Sequence, residues 1–172
     1  MSKLGFKEIN PSNWLERDEV LKGFVKITPS GSQSLTAHDY LNHILKPILS
    51  ESVPEDVRRL FEVARGAMVY GYFFYPLYTL AAEQLFRVTE TAITHKCKLS
   101  GTPKSEKFFK QKLKYLLDNG VISNSEYAQW DSVRNLRNIT SHPKHQLIFT
   151  PGDAIGILEN ICKQVNFLFN TA

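Results

Sequence analysis

The chain lacks most of the residue patterns that announce a particular chemistry. Its 172 residues hold two cysteines, Cys97 and Cys162, too few for a disulfide framework and far from any other cysteine that could help bind zinc. No two histidines stand at helical ligand spacing beside carboxylates, so no metal and no cofactor are expected. The first ten residues carry Lys3, Lys7 and Glu8 and have no apolar centre of the kind a secretory signal needs. Residues 67–85 are the most apolar stretch, but Gly71, Pro76 and Glu83 interrupt it, which argues against a membrane span. A cytoplasmic protein with no membrane partner is therefore expected. Asn138-Ile139-Thr140 has the form of a glycosylation acceptor, which means nothing without secretion. Runs of like charge are missing too. The net charge of +4 is spread along the chain, so an anionic partner is permitted but not demanded. No internal repeat, no low-complexity tract and no persistent period-two alternation is present.

Helix punctuation is what the chain does have. Asn10-Pro11 opens a short segment through Trp14, Leu15 and Leu21, and residues 23–34, with Pro29, Ser30 and Gly31, read as a loop or extended linker. Residues 36–49 place Tyr40, Ile44 and Ile48 on one stripe, with Pro47 predicted to kink or shorten that helix. Ser52 and Glu55 have capping-box spacing and predict a helix carrying Val57, Leu60, Phe61, Ala64 and Met68. After Pro76 a helix over residues 77–97 has the apolar stripe Leu77, Ala81, Leu85, Val88 and Ala92, and a second stripe of Glu83, Arg87, Glu90 and Thr94. The intervening Tyr70, Tyr72, Phe73, Phe74, Tyr75 and Tyr78 are read as core and packing surface, with base stacking the lesser alternative.

Thr102-Pro103 predicts the next helix start, and Gly120 its stop after Phe109, Leu113, Leu116 and Leu117. Ser123 with Glu126 is a second capping box, opening a helix with Trp130, Val133, Leu136 and Arg137 that Pro143 should end. Thr150-Pro151 starts the last helix, with Ala154, Ile157, Ile161, Val165 and Leu168 facing inward. The fold class that follows is all-α: a helical bundle over residues 52–172, preceded by a partly helical N-terminal extension, residues 1–51.

The chemistry is concentrated in Arg137-Asn138-Ile139-Thr140-Ser141-His142. A guanidinium that stays charged and an imidazole that titrates near neutrality suit phosphodiester chemistry. One residue can take the proton of a ribose 2′-OH, and the other can stabilise charge on phosphorus, with no metal needed. Arg137 falls at the edge of the apolar stripe, where it calls for an acid such as Glu83 or Glu90, or a ligand anion. An Arg–Glu pair that merely fixes helix packing is the structural alternative. For His142 the alternative is a C-capping side chain. On an ideal helix the two side chains diverge by about 140°, so they converge only if the helix unwinds or a second subunit contributes.

With these residues in view, residues 52–170 resemble a HEPN domain, an all-α fold of bacterial defence and toxin proteins. The family motif is an arginine, a polar residue, and a histidine after four to six intervening residues; Arg137, Asn138 and His142 match it. The helices carrying Arg87 and Glu90, and the Asn119-Gly120 turn, fit the same pattern. The resemblance implies a homodimer with two motifs across a cleft, acting as a metal-independent endoribonuclease that leaves a 2′,3′-cyclic phosphate. It implies Arg137 and His142 as the catalytic pair, Asn138 as a polar helper, and Glu83 or Glu90 as an acidic orienter. RNA is the implied substrate, in defence or a toxin–antitoxin system, with an antitoxin as a further partner. The runner-up is a non-catalytic helical module that binds RNA, a nucleotide or a partner protein.

Overall fold

The computed structural model describes residues 6–103, 105–140 and 148–170. The fold is all-α. Among the described residues the α-helices are α1 (Ala37–Leu45), α2 (Glu55–Tyr70), α3 (Leu77–Leu99), α4 (Phe109–Asp118), α5 (Asn124–Thr140) and α6 (Pro151–Asn170). No described helix is long and apolar enough to cross a membrane. The long α3 is the axis of the bundle: α2, α4, α5 and α6 all pack on it, while α1 lies against α2 and α6. Its buried side chains cover about half of its circumference, from Tyr78, Ala81 and Ala82 through Leu85, Phe86, Val88 and Thr89 to Ala92, Ile93 and Cys97. A helix with so broad a buried face is expected at a centre, while Glu83, Arg87 and Lys98 on its other side remain exposed.

The predicted core is largely the observed one. Leu85, Leu113, Trp130 and Ile161 are buried, each burial contributing about 1.5–3 kcal/mol for an aliphatic side chain. Ile157 is corrected to half-buried, and Leu158 takes the core position one residue on. The rest of the stripe holds, since Ala154, Ile161, Val165 and Leu168 are buried as expected. The N-terminal segment is continuous with this core, since Leu21, Tyr40, Ile44 and Leu49 belong to the same cluster as Phe61, Leu85 and Trp130.

Two helix starts differ from expectation. Ser52 does not cap α2. Its hydroxyl donates instead to Asn170 Oδ1 of α6 at 2.6 Å, and Pro54 precedes the helix without a side-chain cap. α4 begins at Phe109 rather than at Pro103, and Gln111 Oε1 accepts the Phe108 N–H at 3.0 Å. The Ser123–Glu126 capping box forms as read, with both reciprocal bonds, and Gly120 at φ +67° stops α4. α1 stops at Leu45, two residues before Pro47, and Arg65 from α2 donates to the Ile44 and Leu45 carbonyls at that end.

Residues 23–34 are more ordered than a linker. β1 (Val25–Thr28) and β2 (Gly31–Ser34) form an antiparallel hairpin, with Thr28 opposite Gly31 around Pro29-Ser30. Lys26 on β1 ties it to α1 through Asp39 at 2.7 Å. The aromatic cluster fills the corner between α2 and α3. Tyr75 and Tyr78 are buried, Tyr72, Phe73 and Phe74 are half-buried, and Tyr70 is exposed. Asp18 anchors the N-terminal segment there by accepting the Tyr75 N–H at 2.8 Å, while Arg17 lies over the Tyr72 ring.

Candidate active site

The C-terminal half of the second α3 stripe, Glu90 and Thr94, meets α5 and α4. Glu90 Oε1 meets Arg137 Nη1 at 2.7 Å, and the two side chains are 38% and 43% exposed. One turn on, Thr94 Oγ1 donates to the Glu90 carbonyl at 2.7 Å and accepts from Lys112 Nζ of α4 at 2.9 Å. Three helices therefore converge on one polar seam. Glu83 and Arg87, on the same stripe, are exposed. Glu83 lies two turns, about 10 Å, along α3 from Glu90, so the acid that reaches Arg137 in this ion pair is Glu90.

Arg137 does not occupy the buried position that its place on the apolar stripe suggested. Its side chain is 43% exposed and borders a shallow cleft lined by Phe86, Thr89, Phe109, Val133 and Arg134. A guanidinium carries five N–H donors in one plane, so a carboxylate on Nη1 orients that plane. Asn138 is exposed on the next position of α5. His142 lies outside the described residues, as does the helix end expected at Pro143, and α5 is described to Thr140.

Arg134 and Asp131 are neighbours that the sequence reading missed. They pair at 2.6 Å in the i, i+3 relation, and both residues are half-buried. The Arg134 guanidinium beside Asp131 holds its carboxyl below the usual carboxylate range, and the carboxylate in turn raises Arg134. The Asp-x-x-Arg spacing was the available signal, since residues three apart are neighbours on a helix. Lys112 had no comparable signal, because its partner lies on another helix. Among the described residues no group of three His, Cys, Asp or Glu is placed to hold a metal ion.

Comparison with known families adds an affiliation to this geometry. Residues 67–170 match the family model described as Domain of unknown function (DUF4145), which is more than half of the chain. The chain belongs to this family. The DUF4145 match begins inside α2 and includes all of α3 to α6, so Glu90, Thr94, Lys112, Arg134 and Arg137 all lie within it. The hairpin, α1 and the Asp18 anchor lie outside it. No curated protein and no solved structure matches the chain.

Proposed function

We propose that this DUF4145 protein is a metal-independent endoribonuclease of the HEPN type, with Arg137 and His142 acting on the scissile phosphate. The observation that carries the reading is the ion pair between Glu90 and Arg137. It holds a half-exposed guanidinium at the end of α5, next to Asn138 and five residues before His142. An all-α bundle with an arginine so oriented is what the motif needs.

In this reaction the ribose 2′-oxygen attacks the adjacent phosphorus as its proton passes to the His142 imidazole. The new P–O2′ bond forms, the P–O5′ bond breaks, and the departing 5′-oxygen takes up a proton. Arg137 stabilises the added negative charge on the phosphoryl oxygens at the transition state. The product strand ends in a 2′,3′-cyclic phosphate. DNA lacks the internal nucleophile and is spared. A single imidazole must serve as base and then acid, whereas two copies facing one another divide those tasks, which favours a homodimer. A cytoplasmic setting in bacterial defence or a toxin–antitoxin system, with an antitoxin or other protein partner, accompanies this reading.

The same ion pair favours one alternative. A carboxylate on Arg137 also serves as a clasp between α3 and α5, as it would in a non-catalytic module that binds RNA, a nucleotide or a partner protein. Cleavage assays on Arg137→Ala and His142→Ala separate the two. The nuclease reading expects each to lose about 10²–10⁴ in rate with the fold retained. Wild-type protein that leaves structured and unstructured RNA intact gives the alternative the lead.

A further inference from the structure

Among the described residues, Lys112 on α4 pairs with no carboxylate. It is half-buried, and its ammonium is held by the Thr94 hydroxyl at 2.9 Å. A partly desolvated cation with no counter-charge favours an anion from outside, which offsets the cost of burial. Thr94 sits on an α3 stripe that also carries Arg87, Glu90 and Lys98. The four positions fall within about 80° of one another around the helix, and successive ones are about 4.5–6 Å apart along its axis. Each position brings a cation to that face. Arg87 and Lys98 supply their own and are exposed, Glu90 holds Arg137 at 2.7 Å, and Thr94 holds Lys112. Four cations from three helices thus stand in a row over about 16 Å. Glu90 is the acid within the row, so three positive charges are left in excess. Glu83, exposed one turn before Arg87, closes the row at that end, because a carboxylate there repels an anion.

We propose that this row is a track for the phosphate backbone of a single-stranded RNA, running along α3 from Arg87 past Arg137 and Lys112 to Lys98. Successive phosphates of an extended strand are separated by a distance comparable to one helical turn, so each cation can meet its own phosphate. A polyanion fits better than a lone anion, because the charges lie in a line rather than around one point. Such contacts fix where a strand lies without reading its bases, so binding is indifferent to sequence. Lys112 is then a binding residue that holds the phosphate next to the one at Arg137. The inference rests on the nuclease reading for the scissile phosphate and names how its substrate is held.

The test is fluorescence anisotropy with labelled 2′-O-methyl octamers of A and of U, titrated over a range of NaCl concentrations. These lack the internal nucleophile, so binding is read independently of cleavage. Each phosphate contact releases counterions, and on a single strand it contributes about 0.7 to the slope of log affinity against log salt. Lys112→Met is expected to weaken both octamers alike, by about tenfold, and to reduce that slope by about 0.7. Its melting temperature should stay at the wild-type value, because no ion pair is lost and Thr94 keeps its bond to the Glu90 carbonyl. Lys98→Met, at an exposed position, should reduce the slope by the same amount. Lys22→Met, which removes a cation paired with Glu19 in the N-terminal segment, should leave it unchanged. An unchanged slope in Lys112→Met or Lys98→Met, an equal fall in Lys22→Met, or tighter binding of an octaglutamate peptide than of either octamer would each overturn the track. A protein that cleaves RNA while Lys112→Met keeps the wild-type slope loses only the track. One that shows the slope changes but cleaves nothing loses only the nuclease reading.

Discussion

Removing Arg137 separates a structural arginine from a functional one, because the geometry sets how much stability is at stake. The Glu90–Arg137 pair is close, at 2.7 Å, but both side chains keep roughly two-fifths of their surface in solvent. Exposed pairs are worth about 0.2–1 kcal/mol, whereas breaking a fully buried one costs about 3–5 kcal/mol. The Arg137 stem also covers some apolar surface, which adds a little to the loss. Arg137→Ala and Glu90→Gln are therefore expected to cost no more than about 1 kcal/mol each, a fall in Tm of about 2–4 °C for a chain of this size. Their coupling in a double-mutant cycle should also stay below about 1 kcal/mol. Urea unfolding of the two single variants and the double variant measures this directly. RNA cleavage by Arg137→Ala should meanwhile drop by about 10²–10³. A destabilisation near 3 kcal/mol, or cleavage close to wild type, would refute the assignment and leave Arg137 as a packing residue.

Gly71 lies in the α2–α3 corner, where an added Cβ would come within 2.9 Å of both the Met68 carbonyl and the Tyr78 ring. Gly71→Ala should therefore destabilise the protein by about 1–3 kcal/mol in urea titrations, the usual range for overpacking. Asp39 is hydrogen-bonded by Lys26 and by the Thr36 backbone and hydroxyl, which hold its carboxyl far below the usual carboxylate range. A depressed folded-state value gives stability that is present above the unfolded value near 4 and lost as pH falls toward the folded one. Wild type should therefore melt above Asp39→Asn at pH 7, with the gap closing only in acid; a gap independent of pH would contradict this. Cys97 and Cys162 are buried, and burial pushes both thiols up. Both should resist iodoacetamide in the native protein and react on unfolding, as mass spectrometry would show.

Where the sequence was informative, the signal was local. Ser123 and Glu126 cap α5 because both partners lie within one turn, and Gly120 ends α4 because the left-handed backbone there suits glycine. The Ser52–Glu55 spacing looked the same, but Ser52 is engaged by Asn170, a residue 118 positions away. Likewise nothing local marks Gly31–Ser34 as a strand: its four residues are exposed, and the antiparallel pairing with Val25–Thr28 holds it. The site divides in the same way. Spacing placed Glu90, Arg87 and Glu83 on one stripe, yet only the packing of α5 on α3 selects Glu90 for Arg137. That packing also leaves the arginine half exposed. Lys112 depends wholly on how α3 and α4 meet, and no periodicity reveals it.

The most direct test of the central claim is end-group analysis of RNA incubated with purified wild-type protein in EDTA, with His142→Ala prepared in parallel. The account predicts fragments ending in 2′,3′-cyclic phosphate from the wild type, and intact RNA from His142→Ala and with DNA as substrate. Intact RNA from the wild type, or equal cleavage by His142→Ala, would contradict it.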